Sequence, residues 1–455
     1  MDISQVLMDG VEALHAADAS TFGRWRAKVH QWIGLFVVIS LMGCSEPPPQ
    51  GPDRIILIVV DTLRADRVGA YGGQAATPHM DELARSGQKF SQARSSFHLT
   101  TMSMASLFTG RVPSLETGRK NRALPYTSET FCGMARFRTD GDAGCIPERL
   151  ETLAEALRMQ GYWTLAVVGN PLLFDPYGYS QGFDEWVEVG RIPGGLFRTG
   201  STREHALERT GKQINAALFK ALDERPSDHF FLFAHYLDVH DWPSQEHAYA
   251  KGVEAFDHFL GELLEYLEAE SLLEGATVVV TSDHGEELGE KHFRDSLGLH
   301  FGNPSYEPVL RIPLIVSPAR FQSPDRPVRG QDLKAMILSL AEPKADAQEK
   351  IAFQSDREIF ISEQSFQTLQ MGRWKSFWPR DGSAPSLVDL RLDPGETVDR
   401  ASENAAVLAR HRSRLDEIEE EHWTSPDLLF LEFSEEDRER LRSLGYLEQL
   451  GPGGD

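Results

Sequence analysis

The sequence is short of basic residues. Its 455 residues include 46 lysines and arginines against 69 aspartates and glutamates, which gives a formal net charge of −23. This surplus argues against a nucleic-acid backbone or an anionic membrane surface as the main ligand, because like charges repel over about 8–10 Å in physiological salt. We therefore expect no nucleic-acid partner. An anionic substrate would need metal ions or a local cluster of cations.

Near the N-terminus the chain lacks an apolar run of the about 18–20 residues that a membrane-spanning helix needs. Residues 32–43 (WIGLFVVISLMG) follow several basic residues and precede Cys44 and a Pro-rich stretch, which is typical of a secretory signal. Leu41-Met42-Gly43-Cys44 resembles the bacterial lipobox, and the alternative is a short buried helix with an ordinary cysteine. We expect residues 1–43 to be a lipoprotein signal peptide and Cys44 the lipidation site. The protein would then be exported and held in the bacterial cell envelope, in the periplasm or at the outer membrane, by a lipid anchor only.

Cysteine is also scarce, with three residues in all, and three cannot all pair with one another. Export would favour a disulfide between the other two, Cys132 and Cys145. They lie in a turn-rich segment, where closing a loop of this size is worth about 3 kcal/mol. A free buried pair is the alternative.

Apolar, β-branched runs are present at regular intervals, and segments of helical periodicity separate them. The runs are residues 55–60, 163–168, 230–234, 277–281 and 312–316, and the helical segments are 147–161, 203–222 and 253–267. Strands that alternate with helices in this way indicate a large, mostly parallel sheet flanked by helices. In such α/β sheets, ligands bind beyond the carboxyl ends of the strands.

The pattern changes after about residue 355 to short β-like pieces and then a charged helix at 405–423 and a short helix at 435–447. We expect a smaller C-terminal antiparallel α+β subdomain. The predicted domains are therefore a signal peptide (1–43), a linker (44–53), a catalytic α/β domain (54–350) and the C-terminal subdomain (351–455).

Two of the apolar runs lead directly into side chains that bind metals well. Asp61 follows the first run, and Asp283-His284 follows the run at 277–281. A single aspartate at such a position is usually a helix cap, but two ends with an Asp-His-Gly turn favour a metal site. Glu286, Glu287 and Glu290, which come next, are expected to form a solvated acidic face.

A cluster of hydroxyl groups precedes a helix of small residues in the segment HLTTMSMASLFTGR (98–111). The positive end of a helix dipole would place Thr100, Thr101 or Ser103 where negative charge on a nucleophile or a bound anion is stabilised. An ordinary Ser/Thr cap is the alternative interpretation.

Seven segments follow one another along the chain: VVDTLRADRVGAYG, TPHMDELARSG, SMASLFTGR, GYWTLAVVGNP with GFDEW, HYLDVHDWP, TSDHGEELGE and LRIPLIV. In this order they resemble the motifs of the bacterial sulfatase family, within the alkaline phosphatase superfamily. The resemblance covers residues 54–317, and LVDLRLDPGETVDRA resembles the family's C-terminal signature. It implies the alkaline phosphatase fold and the hydrolysis of sulfate esters.

At the nucleophile position the resemblance places Thr100, where the family has a cysteine or serine that is converted to an aldehyde hydrate. Threonine cannot be converted by that route. Met102 and Met104 replace the family's proline and arginine.

Other positions also depart from the family. Asn170-Pro171-Leu172 replaces a lysine-tryptophan-histidine segment, so two cationic sulfate contacts are lost. His240 matches a substrate-contacting histidine, and His300 falls where the family has a lysine or histidine. We assign His240 and His300, with Thr100, to the catalytic set.

The set Asp61, Thr100, Asp283 and His284 is similar to the metal shell of superfamily members that use a threonine on phosphate esters, such as phosphodiesterases and phosphoethanolamine transferases. We expect a divalent ion there, with zinc or manganese favoured over calcium because Thr62 replaces a carboxylate and His284 supplies a nitrogen. A second ion would use Asp238, His240 and His300.

The sequence therefore predicts a metal-dependent hydrolase of sulfate or phosphate esters, in which a metal-activated Thr100 is the nucleophile. A phosphodiesterase, or a transferase of phospho-headgroups in the cell envelope, is one alternative. A non-catalytic, lipid-anchored binding protein with the same fold is another. The substrate would be an anionic ester of a small molecule, glycan or lipid.

Overall fold

The computed structural model describes residues 52–113, 116–117, 122–123, 132–134, 137, 145–175, 177–189, 210–240, 246–294, 305–321, 325–341, 358–362 and 366–422. The predicted signal peptide, Cys44, His300 and the predicted helix at 435–447 lie outside these residues. None of the described helices is long and apolar enough to cross a membrane.

The strands follow the apolar runs of the sequence closely. In chain order they are β1 (Arg54–Val60), β2 (Gln88–Lys89), β3 (Ala93–Arg94), β4 (Glu116–Thr117), β5 (Arg122–Ala123), β6 (Trp163–Val168), β7 (Glu185–Glu188), β8 (Phe230–Tyr236), β9 (Ala276–Ser282), β10 (Leu314–Ser317), β11 (Val328–Arg329), β12 (Ile359–Ser362), β13 (Phe366–Met371), β14 (Trp374–Pro379) and β15 (Ser386–Asp389).

Seven of these strands form one sheet in the order β2-β10-β9-β1-β8-β6-β7. The pairs β9-β1, β1-β8, β8-β6 and β6-β7 are parallel, which confirms the predicted mostly parallel sheet. The strands at the β2 edge of the sheet are not parallel, because β10 runs antiparallel to both β9 and β2. The carboxyl ends of β9, β1 and β8 therefore lie side by side at one edge.

Helices cover both faces of this sheet. They are α1 (Pro78–Ser86), α2 (Thr100–Thr109), α3 (Leu153–Met159), α4 (Thr210–Asp223), α5 (Glu246–Ala269), α6 (Glu307–Leu310), α7 (Asp332–Ala341) and α8 (Ala405–His422). Ile55, Leu57 and Val59 of β1 pack into one core with α2, whereas Ile56 and Ile58 pack into a second core with α4 and α5. Burial on both faces explains why β1 is apolar at every position after Arg54.

One predicted helix begins later than its periodicity suggests. Residues 147–161 read as helical, but α3 starts at Leu153. Thr152 caps it by accepting a hydrogen bond from the Glu155 amide, and the Glu155 carboxylate accepts one from the Thr152 amide in return. This capping box satisfies two amides that have no partner within the helix, and it fixes where the helix begins.

The C-terminal part is a four-stranded antiparallel sheet in the order β12-β13-β14-β15, with α8 packed on it, as predicted. Phe360 and Leu369 of the sheet contact Leu415 and Ile418 of the helix in a small separate core.

A buried ion network joins this sheet to the rest of the chain. Lys375 of β14 lies 2.8 Å from Glu396 and 3.2 Å from Glu307, at the start of α6, and Arg94 of β3 lies 2.8 Å from Glu307. Burial alone would raise the pKa of Glu307, but Arg94 and Lys375 lower it to about 2. Burial raises the pKa of Glu396 to about 7. Lys375 is thus shared between two buried carboxylates.

We predict that Lys375→Met lowers the free energy of unfolding by about 3–5 kcal/mol, because it leaves the buried Glu396 without its cation and Glu307 with Arg94 alone. Urea denaturation measures the change. Arg85→Met is the control, because Arg85 pairs with Glu82 on the surface with its side chain 74% exposed, and a loss below about 1 kcal/mol is expected there. Equal losses in the two variants would contradict the prediction.

Candidate active site

Three acidic and imidazole side chains meet where β1 and β9 end. One ligand atom from each of Asp61, Asp283 and His284 lies within 4.8 Å of the other two, and all three residues are buried. Asp61 Oδ1 and Asp283 Oδ2 have no hydrogen-bond partner among the residues that the structure describes. Buried carboxylate oxygens without partners are costly, and a bound cation would satisfy them. The donor set therefore fits a divalent metal ion.

His284 is held in the tautomer that a metal requires. Its Nδ1 lies 2.8 Å from the carbonyl oxygen of Gly285. Because a carbonyl oxygen only accepts, Nδ1 is the donor in this contact, and Nε2 is the nitrogen on the side of the cluster that can ligate a metal. Nε2 lies 3.6 Å from Asp283 Oδ2.

A strained turn after β1 orients the Asp283 carboxylate. Thr62 has a φ of 59°, which is rare for a β-branched residue and costs on the order of 1–3 kcal/mol. In this conformation the Thr62 amide donates to Asp283 Oδ1 at 3.1 Å, and the His284 amide donates to the same oxygen at 2.7 Å. Asp283 is thereby oriented with Oδ2 toward the cluster.

Thr100 is the hydroxyl that reaches this cluster. It is the first residue of α2, and its Oγ1 lies 3.4 Å from Asp61 Oδ2 and 3.4 Å from His284 Nε2. Ser103, another candidate from the sequence, donates instead to the carbonyl of Phe97 at 2.8 Å. Of these two hydroxyls, Thr100 is therefore the one placed to act as a nucleophile or a ligand.

The start of α2 is tied to a disulfide. Cys132 and Cys145 are bonded in the structure, and both are buried. The fully buried Tyr179 donates its hydroxyl to the carbonyl of Thr101 at 2.7 Å, and the same hydroxyl lies 2.8 Å from Cys132 Sγ. Tyr179 thus connects the disulfide to the residue that follows Thr100.

The two carboxylates differ in their affinity for protons. Burial and the charge of Asp283 raise the pKa of Asp61 to about 7. Burial would also raise the pKa of Asp283, but His284, His235 and the amides of Thr62 and His284 hold it below its usual value. In the absence of metal, Asp61 is therefore the carboxylate of this pair that takes up a proton as the pH falls through about 7.

Two residues in the site were not predicted. Asn170 was interpreted only as the loss of a cationic contact, but its Nδ2 donates to Asp61 Oδ2 at 2.6 Å while its Oδ1 accepts from the Leu172 amide. His235 has no role in the sequence analysis beyond its place in the HYLDVHDWP segment, yet its Nε2 lies 4.0 Å from both Asp61 Oδ2 and Asp283 Oδ2. The sequence feature that could have identified His235 is its position as a lone histidine at the end of the apolar run 230–234.

The predicted second metal site remains a prediction. Asp238 is buried and accepts a hydrogen bond from the Gly211 amide at the start of α4. His240 is half-buried and close enough to lower the pKa of Asp61 electrostatically. Within the described ranges, only Asp61, Asp283 and His284 form a three-ligand group, and His300 lies outside those ranges.

The predicted solvated acidic face is wrong. Glu286 and Glu287 are buried, and Glu290 pairs with Arg64 at 2.5 Å. Arg64 is itself 3% exposed, and its Nη1 also donates to the carbonyl of Glu286. A buried guanidinium needs such acceptors, so it draws this segment into the protein.

Comparison with known proteins agrees with this geometry. A family model described as Sulfatase matches residues 53–342, well over half of the chain. The chain belongs to the sulfatase family. The matched range starts at β1, ends just after α7 and includes Asp61, Thr100, Asp283 and His284, so the resemblance noted in the sequence is confirmed.

This sulfatase-family chain is similar to steryl-sulfatase of Mus musculus, with 26% identity over 388 residues, or 62% of the chain and 61% of that protein. It thus spans less than two thirds of that relative. Among solved structures, a 2-O GAG sulfatase superposes with a TM-score of 0.62 at 18% identity, covering 82% of this chain and 92% of that one. A phosphonate monoester hydrolase of Agrobacterium radiobacter gives 0.56 at 16% identity, covering 81% and 97%. At these identities the two structures establish the shared fold.

We predict that metal binding weakens by about tenfold for each pH unit below 7. Asp61, with a pKa of about 7, is protonated there, and an ion must displace that proton. Titration calorimetry with Mn²⁺ between pH 5.5 and 8.5 measures the effect, which should level off above pH 7. Asp61→Asn should bind more weakly and lose the Asp61 contribution to this slope. A wild-type affinity that is constant over this range would contradict the assignment.

Proposed function

We propose that this chain is a metal-dependent ester hydrolase in which Thr100 Oγ1 attacks the sulfur or phosphorus of an anionic ester. The observation that carries the proposal is the position of this oxygen, 3.4 Å from both Asp61 Oδ2 and His284 Nε2 within a group of buried metal ligands. Membership of the sulfatase family supports hydrolysis of a sulfate ester.

Asp61, Asp283, His284 and Thr100 would hold the ion, and a set of two carboxylates, an imidazole and a hydroxyl suits zinc or manganese better than calcium. When bound, the ion would lower the pKa of the Thr100 hydroxyl and draw negative charge from the ester oxygens.

The chain's own groups supply the remaining steps. Asp61 Oδ2 is placed to take the Thr100 proton, and the start of α2 stabilises negative charge on the attacking oxygen. The bond from sulfur or phosphorus to the leaving oxygen breaks as the bond to Thr100 Oγ1 forms. His240, half-buried at the same sheet edge, is the candidate proton donor to the leaving alcohol. Water then hydrolyses the threonyl ester.

The identity of the nucleophile favours phosphate or phosphonate esters as a second candidate substrate class. A threonyl ester has no second hydroxyl on its ester-bearing carbon, so it cannot collapse to a carbonyl and must be opened by attack at sulfur or phosphorus. Asn170 also favours phosphate or phosphonate esters. It donates a hydrogen bond to Asp61 from a position where the family has a cation that contacts sulfate. The phosphonate monoester hydrolase shares the fold.

We expect Thr100→Ala to lower turnover by at least about 10³-fold, because the attacking atom is removed. The assay compares aryl sulfate, phosphate monoester, phosphate diester and phosphonate probes, each with zinc, manganese or calcium. Thr109→Ala is the control, since Thr109 lies at the other end of α2, where its hydroxyl contacts the Ala105 carbonyl, the Met134 sulfur and the Arg111 amide. Full activity of Thr100→Ala on every probe that the wild type hydrolyses would refute the nucleophile.

The rival proposal, a non-catalytic envelope protein that keeps the fold, is disfavoured by Asp61 Oδ1 and Asp283 Oδ2. Such buried, unpartnered oxygens are costly in a site that binds nothing. A transferase that passes the group from Thr100 to an envelope acceptor, in place of water, would use the same first step. Turnover that needs an added alcohol acceptor would identify it.

We further propose that the protein is exported and anchored by a lipid on Cys44, and that its substrate is an anionic ester of a small molecule, glycan or lipid. The disulfide Cys132–Cys145 supports an oxidising compartment. The 2-O GAG sulfatase, a protein of this fold, acts on a glycan, which supports a sulfated glycan among these substrates.

Cys44→Ala should abolish palmitate labelling and move the protein from the membrane fraction to the soluble fraction. Labelling of bacterial cells followed by fractionation measures both. A Ser45→Ala variant, altered beside the cysteine, should behave as the wild type. Undiminished labelling of Cys44→Ala would disprove the anchor.

A further inference from the structure

His235 is a fully buried histidine to which the reaction above gives no role. It lies in β8 in register with Val59 of β1 and Val168 of β6. Phe231 and Phe233, at alternate positions of the same strand, pack into the core that contains α2. The alternation directs the His235 side chain toward that same face of the sheet, where Thr100 begins α2.

The surroundings of the imidazole are not those of a satisfied core histidine. Neither ring nitrogen has a hydrogen-bond partner within the described part of the chain, and the same holds for Asp61 Oδ1 and Asp283 Oδ2. Buried polar atoms are normally bonded, so unpartnered atoms on three neighbouring side chains indicate a missing common partner.

The distances fit a shared ion better than a direct bond. His235 Nε2 lies 4.0 Å from Asp61 Oδ2 and 4.0 Å from Asp283 Oδ2, which is too far for a hydrogen bond. Two donors that each lie about 2.1 Å from one ion are separated by about 3.0–4.2 Å, depending on the angle between them. His235 therefore lies at a ligand's distance from both carboxylates, although it stands outside the group of Asp61, Asp283 and His284, whose ligand atoms all lie within 4.8 Å of one another.

The residue at position 62, Thr62, explains why the site would need a further donor. It occupies the place of a second carboxylate after β1, and its own Oγ1 is buried without a partner among the described residues. An imidazole from the neighbouring strand would restore a donor to the site while adding no negative charge.

We propose that His235 Nε2 is a further ligand of the ion held by Asp61, Asp283 and His284. This inference rests on the metal dependence in the proposed function and specifies the donor set. Two imidazoles, two carboxylates and a hydroxyl select zinc, manganese or similar ions against calcium, which prefers a shell of oxygen atoms.

Pulsed EPR of the full chain loaded with one equivalent of Mn²⁺ tests the proposal by counting coordinated histidine nitrogens. The wild type should show two, and His235→Ala and His284→Ala should each show one. His229→Ala is the matched control, because His229 directly precedes the same strand at its opposite end, and it should show two. His240→Ala should also show two, which excludes His240 as the source of the second nitrogen.

Competition between Zn²⁺ and Ca²⁺ gives a second readout. Loss of His235 should reduce the preference for zinc by at least about 10–100-fold, the range seen when even supporting residues of a metal site are lost. His235→Gln, which keeps the side-chain volume, replaces His235→Ala should the latter fail to fold by circular dichroism.

The outcomes separate the two proposals. A wild-type chain that takes up no Mn²⁺ overturns both. Uptake with an unchanged nitrogen count and an unchanged zinc preference in the His235 variants overturns the ligand alone and leaves Thr100 and the metal in place.

Discussion

Two buried carboxylates that face one another, Asp61 and Asp283, are the constraint on which the site depends. Parallel strands bring them to the same edge, and burial removes the water that would otherwise screen their charges. Each neighbouring feature relieves part of the cost. Asn170 and the amides of Thr62 and His284 donate to them, and a proton on Asp61 removes one charge when no ion is bound.

Pairing of buried charges is also found outside the site. Arg64, Lys375 and Arg94 are buried cations that each contact acidic groups from segments far away in sequence. In a chain with a net charge of −23, the few buried cations determine where distant segments dock. The C-terminal sheet is joined to α6 in this way, through Lys375 and Glu307. Charge pairing, and not apolar area alone, therefore fixes which surfaces meet.

The sequence predicts the central strands well because a run such as IILIVV in β1 has no polar face, and only a doubly covered sheet accommodates it. Strand direction is less accessible, since nothing in the apolar pattern distinguishes the antiparallel β10 from its parallel neighbours. Asp61, Asp283 and His284 were found because they stand within three residues of the end of an apolar run. Asn170 and His235 were missed because their roles depend on which strands lie side by side, which one-dimensional spacing does not encode.

Tyr179 links the disulfide to the helix that carries Thr100. Its hydroxyl contacts both a sulfur of the Cys132–Cys145 bond and the backbone at the start of α2. The sulfur contact in its present form exists only while the two cysteines are oxidised. Reduction of this bond therefore changes the surroundings of the hydroxyl that holds the start of the helix carrying Thr100.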